Sequence, residues 1–283
     1  MQPHGTLPPY PVIARLYPGF VFKNADKEYG HSEHAITITA ADGTRLSGWF
    51  YNRGEGSPLV AMYCGNGMNA GDFHLVARRD KASSYLLINY RGYGSSEGIP
   101  NEPHIVADAR HCLNVARSLM NNRPGPLYLV GYSLGSGVAM QVAAAEKPSK
   151  LILITPFDNY ANVIRLPEMA EYPGFADWNS AAVAPGISCP VTIMRAEHDT
   201  IVLPSSTKAL VQAFPMPPEV RCYDAGHCDI FFADGFLRDL IQQLSRQTPT
   251  PPKWRKWLFI SLIIVIILLI LQFLTSAATH PPV

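Results

Sequence analysis

Blocks of like charge and Cys-x-x-Cys pairs are missing from this chain and a continuous apolar run is missing from its first 24 residues, and each absence shapes what is expected of it. Lysines and arginines number 23 against 22 aspartates and glutamates, and no basic block interrupts the globular part, so no nucleic-acid partner is indicated. The five cysteines (Cys64, Cys112, Cys189, Cys222 and Cys228) are odd in number and lack Cys-x-x-Cys spacing. Buried reduced thiols are therefore expected in place of disulfides or a metal site. The first 24 residues contain Pro3, Pro8, Pro9, Pro11 and Pro18 and no continuous apolar run, so no secretory signal is expected there and the start of the chain is expected to be cytosolic. Internal repeats are absent too. What remains is 283 residues, 47% hydrophobic and 16% charged, which is ample material for one large core.

One long apolar run does occur. Leu258 to Leu274 (LFISLIIVIILLILQFL) carries no charge and can be extended to Ala278. As a helix it would span roughly 26 to 32 Å, close to the hydrocarbon thickness of a bilayer. Lys253, Arg255 and Lys256 precede it with Trp254 and Trp257, whereas Thr275 to Val283 has no Lys or Arg. Positive charges favour the cytoplasmic side and tryptophans the interface, so a single C-terminal anchor is expected, with the globular domain facing the cytoplasm. Gln247 to Pro252 (QTPTPP) reads as a semi-extended linker before it.

Within the globular part, His34–Thr39 and Leu46–Tyr51 are β-rich segments joined through Asp42-Gly43, a hairpin signal. The pattern then changes to alternating strands and helices. Leu59–Tyr63, Tyr85–Tyr90, Leu127–Val130, Leu151–Ile154 and Val191–Met194 are apolar runs of parallel-sheet type, and Glu219–Tyr223 reads as a last strand. Helices are predicted over Asp72–Arg79, Pro103–Met120, Ser136–Glu146, Pro204–Phe214 and Ile230–Arg246. The class is α/β, with a mostly parallel central sheet flanked by helices. The stretch from Phe157 to Cys189 is too long for a simple connection and is rich in proline and aromatics, so a small cap insertion is expected over about 157–189.

The chemistry centres on Leu127 to Gly135, where an apolar strand runs into Gly131-Tyr132-Ser133-Leu134-Gly135 and then a helix. A strand-to-helix turn that tight forces the serine into a strained conformation and leaves room only for glycine two residues to either side. A serine hydroxyl needs a base to become a nucleophile, and the base needs an acid to orient it. Asp199 follows the Val191–Met194 strand and His227 follows the last strand, the chain order described for hydrolases built around such an elbow. Glu197 and Asp158 are rival acids, and capping of the helix near Pro204 is an alternative role for Asp199. Of the other histidines, only His280 comes after the last strand, and it lies in the terminal segment. The oxyanion donors are expected to be the backbone N–H groups of Leu134, by its place after the nucleophile, and of Asn66, in the Cys64-Gly65-Asn66-Gly67 loop after the Leu59–Tyr63 strand.

Through Gly65-Asn66-Gly67, Asn89 to Gly98 (NYRGYGSSEG), Gly131 to Gly135, Asp199 and Gly226-His227, the chain resembles the α/β-hydrolase superfamily over residues 34–246. Within it, the sequence looks most like the membrane-associated lysophospholipid lipases and protein-depalmitoylating thioesterases. Cys64 stands where that branch usually has histidine, and Asn89 where many relatives have aspartate. The Arg91 to Gly98 stretch reads as a structural turn in preference to a substrate contact.

The resulting expectation is a serine hydrolase of carboxylic esters or thioesters, with membrane lipids or acylated proteins as substrates and the bilayer as a partner through the C-terminal helix. No metal or organic cofactor is implied. A peptidase or amidase with the same three residues, and an inactive interaction module at a membrane, are the alternatives. The domain map is an N-terminal extension (1–30), a hydrolase domain (31–246), a linker (247–257) and a transmembrane tail anchor (258–278).

Overall fold

A computed structural model of the chain describes residues 32–163 and 178–245. The N-terminal extension, the linker, the predicted anchor and the centre of the predicted cap lie outside the described residues. Among the described residues no helix is long and apolar enough to cross a membrane.

Eight strands form one sheet in the order β1-β2-β4-β3-β5-β6-β7-β8. They are β1 Ala35–Thr39, β2 Arg45–Tyr51, β3 Leu59–Tyr63, β4 Ser84–Ile88, β5 Leu127–Tyr132, β6 Lys150–Ile154, β7 Val191–Ala196 and β8 Glu219–Tyr223. The hairpin expected through Asp42-Gly43 is present, with Gly43 at φ 86° and Ile38 opposite Leu46. Strand β2 is antiparallel to both β1 and β4, and every later pairing is parallel. All of β3 and β6 is buried, as continuous apolar runs covered on both faces should be.

The helices are α1 His74–Arg79, α2 Glu102–Leu119, α3 Leu134–Glu146, α4 Tyr160–Val163, α5 Ser180–Val183, α6 Pro204–Ala213 and α7 Phe236–Ser245. Helix α1 is shorter than predicted because Ala70–Phe73 forms a 3-10 turn with Asn69 and Asp72 in a capping box. The predicted closing helix is likewise split. Ile230–Phe232 is a 3-10 turn, and α7 starts only at Phe236, after Gly235 at φ 79°. Helix α3 is buried on most of its surface and packs against β5 and α2.

Of the predicted cap, the described parts are the short helices α4 and α5, a bridge between Asn159 and Asn179, and the buried rings of Phe157 and Trp178. Cys64, Cys112 and Cys189 are buried free thiols as expected, but Cys222 and Cys228 are exposed. The apolar pattern misleads at Cys222 because the outer edge strand β8 turns only Tyr223 fully inward.

Candidate active site

Strand β5 lies third of the six strands in the parallel part of the sheet, and its end carries Ser133 out of the core. Ser133 adopts φ 50° and ψ −117°, outside both the helical and the extended regions. Strain of this kind costs on the order of 1–3 kcal/mol and persists only where surroundings enforce it. Here they do. A Cβ on Gly131 would lie 2.2 Å from the Gly135 carbonyl oxygen, and one on Gly135 would lie 2.1 Å from that of Tyr63. Backbone on each side thus leaves no space for a side chain, and the N–H of Ser133 is fixed to the carbonyl of Ile154 at 2.9 Å.

Two loops from later strands meet this turn. His227 follows β8, and its Nε2 lies 2.8 Å from Ser133 Oγ. Its Nδ1 lies 2.7 Å from Asp199 Oδ2, in the loop after β7. With the ring proton on Nδ1 it donates to the carboxylate, leaving Nε2 to accept from the serine hydroxyl. Asp199 is not the cap of α6. Its other oxygen accepts from the N–H groups of Ile201 (2.9 Å) and Val202 (2.8 Å), and the N-cap of α6 is Leu203, with no side-chain cap. Neither rival acid is hydrogen-bonded to His227. Asp158 accepts from Ser206 and from Asn162, and Glu197 is exposed.

A residue that sequence reasoning missed holds the histidine loop in place. The Tyr132 hydroxyl donates to the His227 carbonyl at 2.9 Å, and its ring lies 5.5 Å from the imidazole. Phe231 packs edge-on to Tyr132 at 4.9 Å and to Phe236 at 5.2 Å, backing the same loop. No signal marks Tyr132 in the sequence, because the elbow motif leaves that position free.

The loop after β3 lies against the serine. A Cβ on Gly65 would sit 2.7 Å from the Tyr132 ring and 3.4 Å from Ser133 Cβ, so only glycine lets this backbone approach so closely. Asn66 follows Gly65, its side-chain oxygen accepting from the Tyr93 hydroxyl at 2.8 Å. Leu134 is the first residue of α3, a position whose N–H has no acceptor within the helix. Cys64 is fully buried, which pushes its thiol well above the usual range, and its carbonyl accepts from the Tyr90 hydroxyl at 2.9 Å. Asn89 takes its own set of bonds, accepting from the N–H of Ala70 at 2.8 Å and donating to Ser47 Oγ at 3.2 Å.

The Arg91 to Gly98 stretch is structural, as read from sequence. Buried Arg91 makes a bidentate pair with Asp108 of α2 (2.7 and 2.8 Å) and a third bond to Asp42 of the first hairpin (3.0 Å). That guanidinium holds the Asp42 carboxyl well below the usual carboxylate range.

The sequence model of the alpha/beta hydrolase family matches residues 64–258. The chain belongs to the alpha/beta hydrolase family. An uncharacterized protein of Mycobacterium tuberculosis is 30% identical over 229 residues, 75% of this chain and 79% of that protein. The lysophosphatidylserine lipase ABHD12 of Danio rerio is 33% identical over 181 residues, 54% of this chain and 47% of that protein, so this chain spans about half of that relative's length. Among solved structures, the esterase Pf2001 of Pyrococcus furiosus superposes with a TM-score of 0.64 at 16% identity, covering 80% of this chain and 99% of that one. The alpha/beta hydrolase GrgF of Penicillium sp. sh18 superposes with a TM-score of 0.63 at 16% identity, covering 76% and 99%. At these identities the superpositions show the fold.

In this alpha/beta hydrolase the serine, imidazole and carboxylate form one continuous hydrogen-bonded array, with the histidine and aspartate side chains both only 5% exposed. Such an array can move a proton from hydroxyl to imidazole while the carboxylate balances the charge that develops. Among the described residues, the one cluster with metal-ligand spacing is Glu197, His198 and Asp224, all exposed.

Proposed function

We propose that this alpha/beta hydrolase cleaves carboxylic esters or thioesters of acyl substrates, lipid or acylated protein, through a covalent acyl-enzyme on Ser133. The observation that carries this reading is the unbroken array from Ser133 Oγ through His227 to Asp199, at 2.8 and 2.7 Å. Ser133 Oγ adds to the acyl carbonyl as His227 Nε2 takes its proton. Asp199, already holding two backbone N–H groups, stabilises the imidazolium. His227 then returns the proton to the leaving oxygen or sulfur, and water repeats the cycle to release the acid. The N–H groups of Leu134 and Asn66 are assigned to the oxyanion, each such donor being worth on the order of 3 kcal/mol. The ABHD12 relative, a lysophosphatidylserine lipase, supports an ester-bearing lipid among the substrates.

The same proposal places Leu258–Ala278 across a membrane as a tail anchor with the hydrolase domain on the cytoplasmic side, supported by the uncharged run and the Lys253, Arg255 and Lys256 flank. A fluorophosphonate probe tests the chemistry. Ser133 is expected to be labelled, and Ser133→Ala or His227→Ala to abolish the label. Well-folded protein that resists the probe would sink the catalytic reading in favour of an interaction module. Activity on a panel of long-chain acyl esters, thioesters and amides then separates a lipase or thioesterase from a peptidase, which would turn over peptides alone.

A further inference from the structure

Charge is distributed unequally between the two ends of the sheet. Loops leaving the parallel strands, where Ser133 opens, carry the exposed carboxylates of Asp72, Glu197, Asp224, Asp229 and Asp234. Among the described residues, the exposed arginines at that end, Arg45 and Arg238, are ion-paired with Glu97 and Asp239. At the opposite end, where helices stop and strands begin, the exposed cations are Arg78, Arg79, Lys81, Arg123 and Lys147, and the exposed carboxylates are Glu33, Glu55 and Glu219. Their position is fixed by backbone contacts. Arg53 reaches the carbonyl of Ala77, Gly56 bonds to the carbonyl of Arg123, and Ser149 bonds to that of Leu127 at the start of β5. Arg123 lies 3.6 Å from Glu55, and Glu219 is paired with Arg221. Among the described residues no carboxylate lies within ion-pair distance of Arg78, Arg79, Lys81 or Lys147. Large exposed apolar side chains stand at both ends, Leu119 (47%) and Met216 (50%) here and Phe232 (87%), Ile99 (65%) and Ile201 (43%) in the loops at the Ser133 end, so charge alone separates the two.

The chain also leaves the domain there. Helix α7 ends beside the first residues of β6 and β8, with the Gln243 carbonyl bonded to Lys150 and its side chain to Glu219 at 3.1 Å. From Ser245 the residues 246–257 reach at most about 40 Å before Leu258.

We infer that the face built by Arg78, Arg79, Lys81, Arg123 and Lys147 docks on an anionic phospholipid surface, so that the Ser133 end points away from the bilayer and takes its acyl substrate from the aqueous side. Charge complementarity at one end and repulsion of the acidic end act in the same sense, and Ser245, the last described residue, lies at the basic end. The anchor reading supplies only the tether; the charge asymmetry stands without it. The substrate class this favours is an acylated protein or dispersed acyl ester, in preference to a lipid held in the same bilayer.

Full-length protein with Cys222→Ser and Cys228→Ser provides the test, with a single reporting cysteine at Ala145→Cys on the basic end or at Phe232→Cys on the acidic end, each bearing a fluorophore. Vesicles of neutral lipid, or of neutral lipid with phosphatidylglycerol, carry a headgroup spin label as quencher. In the anionic vesicles the probe at 145 is expected to be quenched severalfold more than the probe at 232. Arg78→Glu with Arg79→Glu and Lys81→Glu is expected to abolish the difference, since one basic residue near an anionic surface is worth about fivefold in partition. Raising the salt should do the same. Stronger quenching at 232, equal quenching, or none at either position overturns the inference. Flotation with neutral vesicles reads the anchor separately, and fluorophosphonate labelling of Ser133 reads the chemistry in every variant.

Discussion

Helix α3 begins and ends with a residue at positive φ, and the two ends do opposite things with the same backbone sign. At its start Ser133 has φ 50° and ψ −117°, and at its end Lys147 has φ 47° and ψ 64°. The Lys147 conformation is an ordinary left-handed helix stop, which glycine would adopt at less cost. The Ser133 conformation is a local device for lifting a hydroxyl out of a buried strand, and it survives because Gly131, Gly135 and the Tyr63 carbonyl enclose it. Strain at the sheet's C-terminal edge is therefore enforced by its surroundings and presents the Ser133 hydroxyl, and strain at its N-terminal edge is removable. The surrounding loops follow the same division. Those near Ser133 are held by buried polar contacts such as Arg91 to Asp108, whereas those near Lys147 are exposed and basic.

The sharpest way to break this contrast is at the serine. Ser133→Ala or His227→Ala is expected to lower kcat on an acyl ester by about 10⁶-fold, and Asp199→Asn by about 10⁴-fold, with the fold retained. Steady-state kinetics with parallel thermal unfolding checks this, and loss of fold alongside loss of activity would blur the two ends into one. Next in size is Arg91→Ala, which strands the Asp108 carboxylate in the interior. A loss of about 3–5 kcal/mol is expected from denaturant unfolding, because a buried charge is left without its partner.

A smaller effect is conditional on pH. His74, buried with Nδ1 2.8 Å from the Tyr51 hydroxyl, is pushed down to about 4 from an ordinary 6.5 by burial and, secondarily, by the charge of Arg78. The unfolded chain takes up this proton near pH 6.5 and the folded chain only near 4. Stability is thus fully present above pH 6.5 and falls as the pH drops through that window, by on the order of 3 kcal/mol in total. His74→Gln is expected to flatten that part of the curve in urea titrations at pH 7, 5.5 and 4. The smallest expected effect is at the other end of α3: Lys147→Gly should raise stability by up to about 1 kcal/mol and leave kcat unchanged. A fall in kcat there would show that the two ends are coupled.

Much of this arrangement was legible in the residues. Periodicity located every strand, since runs such as Leu59–Tyr63 and Leu151–Ile154 are apolar throughout and therefore read as strands covered on both faces. It overran at α7, where Ile230 to Arg246 reads as one helix but Gly235 at positive φ and Ala233 in extended backbone break it. The elbow motif pointed to Ser133, and chain order pointed to Asp199 and His227. Tyr132 was invisible because its role is a hydroxyl bond to a carbonyl 95 residues away in sequence. The charge difference between the two ends of the sheet was hidden as well, because a balanced 23 against 22 says nothing about sides.

By itself, then, the sequence determined the α/β class, the glycines that an elbow requires and the chain order of serine, acid and base, because these follow from local sterics and from where each strand stops. Only the tertiary structure decided that Asp199, and neither Asp158 nor Glu197, meets His227, that Tyr132 secures the histidine loop, and that acidic and basic loops collect at opposite ends. Those outcomes depend on how parallel strands, all running one way, bring distant loops to one edge, which no local pattern encodes.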